Sequence, residues 1–266
     1  MTLPVSQASF PELYEQHLVP PLFRPFAEDI VQDLEIARGN DVLDIACGTG
    51  IVARLAKKRT GEGNVVGVDS NPQMLDVARR SDPSVDWRQG DATNLPVDDT
   101  EKFDVVTCQQ GIQFFPDRPA AMREMHRVLK GNGRLGVSAW RSDTEFPFLL
   151  ELRKVAERHV GPIADRRHSL GDAAELENLL SDAGFRDVRS RAISHTIHFA
   201  DAKLWTRLNA MALVGMSAKS KELSPDERSR VTETVIADSS EVLARFCDRA
   251  DGVDFPIAAN VVVARR

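Results

Sequence analysis

Five short strand-like runs, four of them mainly apolar, recur between residues 41 and 140, and segments of helical spacing separate most of them. The runs are DVLDIA (41–46), NVVGVD (64–69), VDWRQGDA (85–92), FDVVTCQQ (103–110) and GRLGVSAW (133–140). Between them lie a helix to about Lys58, one over SNPQMLDVARR, and one over RPAAMREMHRVLK that Gly131 stops. Asn71 stands ready to cap the second, with Pro72 at its first helical position. Strands alternating with helices at this spacing build βαβ units and a parallel, doubly wound sheet. Right-handed crossovers then bring the carboxyl ends of the strands to one edge, where such sheets bind ligands.

The flanks read differently. Residues 1–40 carry five prolines and the aromatics Phe10, Tyr14, Phe23 and Phe26 before a helix that reaches Leu34 to Ala37. They read as a cap segment. Residues 41–266 then form the main domain, within which 141–170 have no clear period. DAAELENLLSDAGF is a helix, Val188 to Phe199 a strand, and 201–250 a mainly helical insertion that serves as packing or as a lid. SPDE at 224–227 has capping-box spacing, and FPIAANVVVARR ends the chain as a strand.

Composition narrows the classes. The net charge is -6, so no global basic field draws nucleic acid or an acidic membrane. No run reaches the ~18 apolar residues of a membrane helix. Three scattered cysteines, Cys47, Cys108 and Cys247, offer no zinc or disulfide pattern. The expectation is a cytoplasmic protein without a metal site.

The first βα turn admits two ligands. Gly48-Thr49-Gly50-Ile51-Val52-Ala53 fits the dinucleotide pattern, and Asp69 follows about twenty residues on. Glycine lets backbone approach a ligand, and an acid accepts from ribose hydroxyls. Asp44, four residues before Gly48, argues against a pyrophosphate and suits a ligand with a positive group. Asp91 and Ala92 close the third run, and Gln109, Gln110 and Gln113 stand at the mouth of the fourth.

In their order VLDIACGTG, VVGVD, GDATNLP, FDVVTCQQGIQFFPD and MREMHRVLKGNGRLGVSAW resemble a class I S-adenosylmethionine-dependent methyltransferase. They are similar to its small-molecule branch, which includes ubiquinone/menaquinone-biosynthesis-type enzymes. The resemblance covers roughly residues 40–140. It implies a Rossmann-like, seven-stranded, mostly parallel α/β sheet with an antiparallel last strand, and S-adenosylmethionine as cofactor with S-adenosylhomocysteine as product. Ala46, Gly48, Thr49 and Gly50 would form the turn under its methionine part, beside Asp44. Asp69 would hold the ribose, Ser70 and Met74 would flank the adenine, and Asp91 and Ala92 would meet its edge. Gln109 would meet the methionine end, and Tyr14 would reach over from the cap. The family's first glycine is Ala46 here, which bears on the turn geometry.

Gln113, Phe114, Phe115 and Trp140 are candidates for the acceptor pocket. No catalytic residue is assigned: His17, His126, His159, His168, His195 and His198 carry no motif, and Cys108 reads as a small buried residue. The atom methylated (O, N or C) stays open. Two rival readings are a nicotinamide-dependent oxidoreductase, from the glycine pattern and Asp69, and a non-catalytic S-adenosylmethionine-binding protein.

Overall fold

A computed structural model describes residues 9–246 and 252–266, so Cys247 lies outside the described residues. Two compact units emerge: one of residues up to 141 with 170–193 and 259–266, the other of 142–169 and 194–258.

The sheet has seven strands in the order β3-β2-β1-β4-β5-β7-β6. They are β1 (Val42–Ile45), β2 (Val65–Asp69), β3 (Asp86–Gln89), β4 (Phe103–Gln109), β5 (Leu129–Trp140), β6 (Arg186–Phe199) and β7 (Val253–Arg265). The pairs among β1 to β5 are parallel, and β7 runs antiparallel to β5. This is the expected doubly wound order. β1 is buried at all four positions, as a central parallel strand covered on both faces should be.

The first unit opens with α1 (Phe10–Leu13), a π-helical stretch over Tyr14–Phe23, and α2 (Arg24–Asp33). Ser9 and Glu12 form a capping box at its start. Pro20 and Pro21 lie inside the π-helical stretch, where the missing N–H groups disturb the regular ladder. Then come α3 (Ile51–Thr60), α4 (Pro72–Ser81), α5 (Arg118–Val128) and, after an interruption, α7 (Ala173–Asp182). Asn71 caps α4 by accepting from Gln73 N–H. α5 ends at Val128 and β5 begins at once, four residues before GRLGVSAW and before Gly131. Leu43, Ile45, Val66, Val106, Met122, Met125, Leu135 and Leu176 belong to one buried cluster on this sheet.

The second unit contains α6 (Pro147–Val160), α8 (Ala202–Met216), α9 (Pro225–Asp238) and α10 (Ser240–Phe246). α6 lies within 141–170, where no clear period is visible in the sequence. It packs against α8 and α9, and its buried residues Phe148, Leu149, Leu152, Val155, Ala156 and Val160 form one helical stripe. The capping box predicted at 224–227 starts α9. Phe199, Trp205 and Phe255 follow one another ring to ring, and Arg167 forms a half-buried ion pair with Asp165 while donating to Asn209 Oδ1. His195 and His198 fall on opposite faces of β6, because the buried positions alternate through Ile193, Ile197 and Phe199. No helix among the described residues is long and apolar enough to cross a membrane.

Candidate functional site

The carboxyl ends of β1, β2 and β4 converge on the glycine turn. Asp44 is 1% exposed on β1, where its Oδ1 accepts from Thr107 Oγ1 at 2.8 Å and its Oδ2 from Ala53 N–H at 3.1 Å. It therefore ties β1 to β4 and to the first turn of α3. Burial pushes its carboxyl up to about 7 against the pull of those two donors, and the neighbouring Asp69 adds to the push.

The turn itself is left-handed three times over: φ is 54° at Ala46, 57° at Gly48 and 89° at Gly50. Ala46 thus occupies a conformation that suits glycine and strains a residue with a Cβ. Its methyl has room because residue 111 has none; a Cβ on Gly111 would stand 2.5 Å from it. The glycine of QQGI is the counterpart of the alanine in IACGTG.

Gly48 and Gly50 do different work. A Cβ on Gly48 would meet nothing within 4 Å, so this glycine faces open space at the sheet edge. A Cβ on Gly50 would lie 2.2 Å from the indole of Trp87, and one on Gly67 would lie 2.4 Å from the same ring. Trp87, held by its Nε1–H to Asp82 O at 2.8 Å, packs flat against both. Packing excludes a side chain at Gly50, whereas the side of Gly48 is open.

Asp69, at the end of β2, accepts from Gly48 N–H and Asn71 N–H, each at 2.8 Å. It fixes the turn to β2, and burial raises its carboxyl above the ordinary value despite those bonds. Ser70 is exposed and Met74 half-buried on α4 beside it. Asp91 lies two residues past the end of β3, in a tight turn where its Oδ1 accepts from both Thr93 N–H and Thr93 Oγ1–H, and these bonds lower its carboxyl. Ala92 beside it is buried.

From the amino-terminal segment Tyr14 comes within electrostatic reach of Asp69, Glu15 and Asp44; burial, then those acids, push its phenol up, so it stays protonated and able to donate. Glu15 pairs with Arg54 of α3 at 2.7 Å and Glu12 with Arg80 of α4 at 3.2 Å, which fasten this segment to the site. Tyr14, Phe23 and Trp140 follow one another at centroid distances of 4.8 and 5.9 Å, and Phe26 meets Trp140 edge-on at 4.9 Å.

At the end of β4, Gln109 donates from Nε2 to Phe23 O at 2.9 Å, which turns its Oε1 the other way. Gln113 is buried and donates to Gln110 O at 3.0 Å, bracing the turn. Phe115 packs on the core, whereas Phe114 is 42% exposed. Cys47 and Cys108 are buried free thiols whose pKa burial raises, which suits packing and disfavours nucleophilic work. His126 stacks edge-on against Phe185, a packing role.

Several buried polar atoms at this edge have no protein partner: Thr49 Oγ1, Gln109 Oε1, both amide atoms of Gln110 and Ser138 Oγ. From sequence, Gln110 stands with Gln109 and Gln113 at the mouth of the fourth run without an assigned role, and nothing marks Ser138. Gln110 stood in the QQGI stretch, but only coordinates show its left-handed φ of 55°. A groove of about 390 Å³ lies at the opposite, amino edge, lined by Asn40, Asp104, Lys130 and Arg134 among others. Its lysine is already spent on Asp41 and Asp104, at 2.8 and 2.9 Å.

The methyltransferase domain family matches residues 43–137. A demethylmenaquinone methyltransferase of Lactobacillus johnsonii is 30% identical over 175 residues, which cover 58% of this chain and 71% of that protein. Two solved structures share the fold. The YcgJ protein of Bacillus subtilis has a TM-score of 0.55 at 22% identity, over 90% of this chain and 97% of that one. An S-adenosylmethionine-dependent methyltransferase of Aquifex aeolicus has a TM-score of 0.53 at 20% identity, over 70% and 93%. None of these favours the nicotinamide reading. The chain belongs to the class I S-adenosylmethionine-dependent methyltransferases, in the branch of the menaquinone and ubiquinone type, and is an enzyme that methylates a small molecule with S-adenosylmethionine as its cofactor.

Proposed function

We propose that the acceptor is a flat, hydroxylated ring in its reduced state, of the kind a quinone gives on two-electron reduction. The observation that carries this reading is the run of rings Tyr14, Phe23, Trp140 and Phe26 beside Gln109 at the carboxyl edge. Aromatic walls with a few polar groups suit planar ligands. The name of the Lactobacillus relative, a demethylmenaquinone methyltransferase, supports the same class of acceptor.

The cofactor fits the residues of this edge. Gly48 gives backbone access, and Thr49 Oγ1 and Gln109 Oε1 are buried acceptors that a ligand's polar end would engage. Asp69 would accept from the ribose hydroxyls with the lone pairs left after Gly48 and Asn71 N–H. Asp91 and Ala92 would meet the adenine edge, Ser70 and Met74 its flank, and the Tyr14 phenol would donate from above. Bound there, the cofactor would supply a methyl group on a positively charged sulfur: the pair of the broken carbon–sulfur bond would stay on a neutral thioether, and the acceptor would give up one proton to solvent as its new bond forms. The protein's share is to align the acceptor and keep water out, and positioning of this kind contributes on the order of 7–11 kcal/mol. The balance of charge, with a net -6, supports a small-molecule acceptor over nucleic acid and a cytoplasmic setting.

Calorimetry with S-adenosylmethionine, S-adenosylhomocysteine and NADH, followed by turnover of naphthohydroquinone, a simple phenol and a primary amine, tests the reading. Binding of the two sulfur ligands alone and turnover of the hydroquinone are expected. Turnover of the amine alone would refute the acceptor class, and full cofactor affinity in Asp69→Ala would refute the site. Loss of at least tenfold is expected there, since hydrogen bonds to charged groups contribute about 1.5–3 kcal/mol.

A further inference from the structure

Gln110 is 7% exposed and Ser138 is 1% exposed, and the side-chain polar atoms of both lack a protein partner. Gln110 also holds a left-handed backbone, φ 55°, without being glycine. Its main chain leaves it no choice: Gln110 N–H donates to Ser138 O at 2.9 Å, and Gln113 Nε2–H donates to Gln110 O at 3.0 Å. Ser138 pairs with Gln109 across the β4–β5 ladder. It lies on the face of β5 that also carries Gly136, against Leu34 and Ile30, and Trp140, against Phe26. Backbone strain combined with buried, unpaired polar atoms is unfavourable for the fold and persists where a ligand uses it.

We propose that Gln110 and Ser138 select the acceptor, by hydrogen-bonding the hydroxyl groups of a neutral ring that lies along Phe23 and Trp140. Both groups are uncharged, and a carboxamide both donates and accepts. The pair matches a hydroxyl and gives nothing to balance a carboxylate or an ammonium ion. The inference rests on the ring-acceptor reading above and adds to it the residues that discriminate.

Gln110→Met and Ser138→Ala test it, with naphthohydroquinone and its monomethyl ether as probes and S-adenosylhomocysteine affinity measured alongside. Replacing an unpaired buried polar group by an apolar one of similar shape leaves stability equal or higher. Both variants are therefore expected to melt at or above the wild-type temperature and to bind S-adenosylhomocysteine within twofold of it. Their kcat/KM for the hydroquinone should fall roughly tenfold or more, and the wild-type preference for it over the ether should vanish. An active wild type with unchanged preference in both variants would overturn the proposal alone. Loss of S-adenosylhomocysteine affinity would overturn it by moving the pair to the cofactor site, and lower melting temperatures would overturn it by making the pair a structural one. A wild type that binds cofactor but methylates neither probe would refute the ring-acceptor reading itself, and this proposal with it.

Discussion

Exchanging the methyl between positions 46 and 111 isolates the one departure from the family's glycine turn. Gly111→Ala alone places a Cβ 2.5 Å from that of Ala46 and 3.1 Å from Cys108 Sγ. Carbon atoms in contact sit about 3.5–4.0 Å apart, so the first overlap is about 1–1.5 Å, at two turns that directly follow β1 and β4. The new alanine itself has no backbone difficulty, since Gly111 has φ -110° and ψ -41°. The cost is therefore contact alone, about 1–3 kcal/mol as for other overpacked cores. Ala46→Gly alone releases the left-handed strain, about 1–2 kcal/mol, against about 0.5–1 kcal/mol of added chain entropy. Its net effect is close to zero or slightly stabilising. In the double variant the Cβ of residue 46 is gone, and the remaining contacts are 3.1 Å to sulfur and 3.8 Å to the Cα. Most of the loss should return. Urea unfolding of the four proteins should give a coupling energy of about 1–2 kcal/mol. If the two changes add to within about 0.5 kcal/mol, residue 111 is not glycine for the sake of Ala46, and the account of the turn is wrong.

Three further outcomes follow from the same edge. Gly50→Ala meets the Trp87 ring at 2.2 Å in a left-handed conformation and should lose about 3 kcal/mol in urea; Gly48→Ala meets nothing and should lose about 1–2 kcal/mol while binding the cofactor far more weakly. Equal stability losses would refute the division of labour. Asp44 is raised from 3.8 to about 7 in the fold, so the stability it contributes is fully present below pH 3.8 and is lost as the pH rises through 7. A positive ligand group nearby favours the carboxylate, so affinity for cationic S-adenosylmethionine should rise between pH 6 and 8 relative to neutral S-adenosylhomocysteine, measured by calorimetry; parallel pH profiles would refute the linkage. Arg54→Met strips the partner from the half-buried Glu15 carboxylate and should lower stability by about 1–3 kcal/mol, read by thermal melting; an unchanged melting temperature would show that the segment holds without that pair.

The sheet was legible because its signal is local and repeated. Apolar runs of four to seven residues ending on Asp69, Gln109 or the glycine turn carry their own boundaries, and five in series leave one class of topology. α6 was harder to read: its buried residues do form one stripe, but no capping side chain stands at Phe146 to mark where it begins. The π-helical form of Tyr14–Phe23 was hidden as well: proline spacing announces a disturbance but not its geometry. At the site, Asp44, Gly48 and Asp69 could be read from type and spacing. The distinction between Gly48 and Gly50 could not, because it depends on Trp87 of β3, two strands away.

The same limit explains Gln110 and Ser138. A sequence pattern reports what a residue type usually does, and glutamine after a strand or serine within one usually finds a partner. What marks these two, with Thr49, is that none of their side-chain polar atoms does, whereas the neighbouring Gln109 donates to Phe23 O and Asp44 accepts from Thr107 and Ala53. Paired polar groups at this edge hold the turn in shape; unpaired ones leave hydrogen-bonding capacity inside it. Stability and selectivity are thus served by different residues a few ångströms apart, and substitutions that raise the first while erasing the second would separate the two roles.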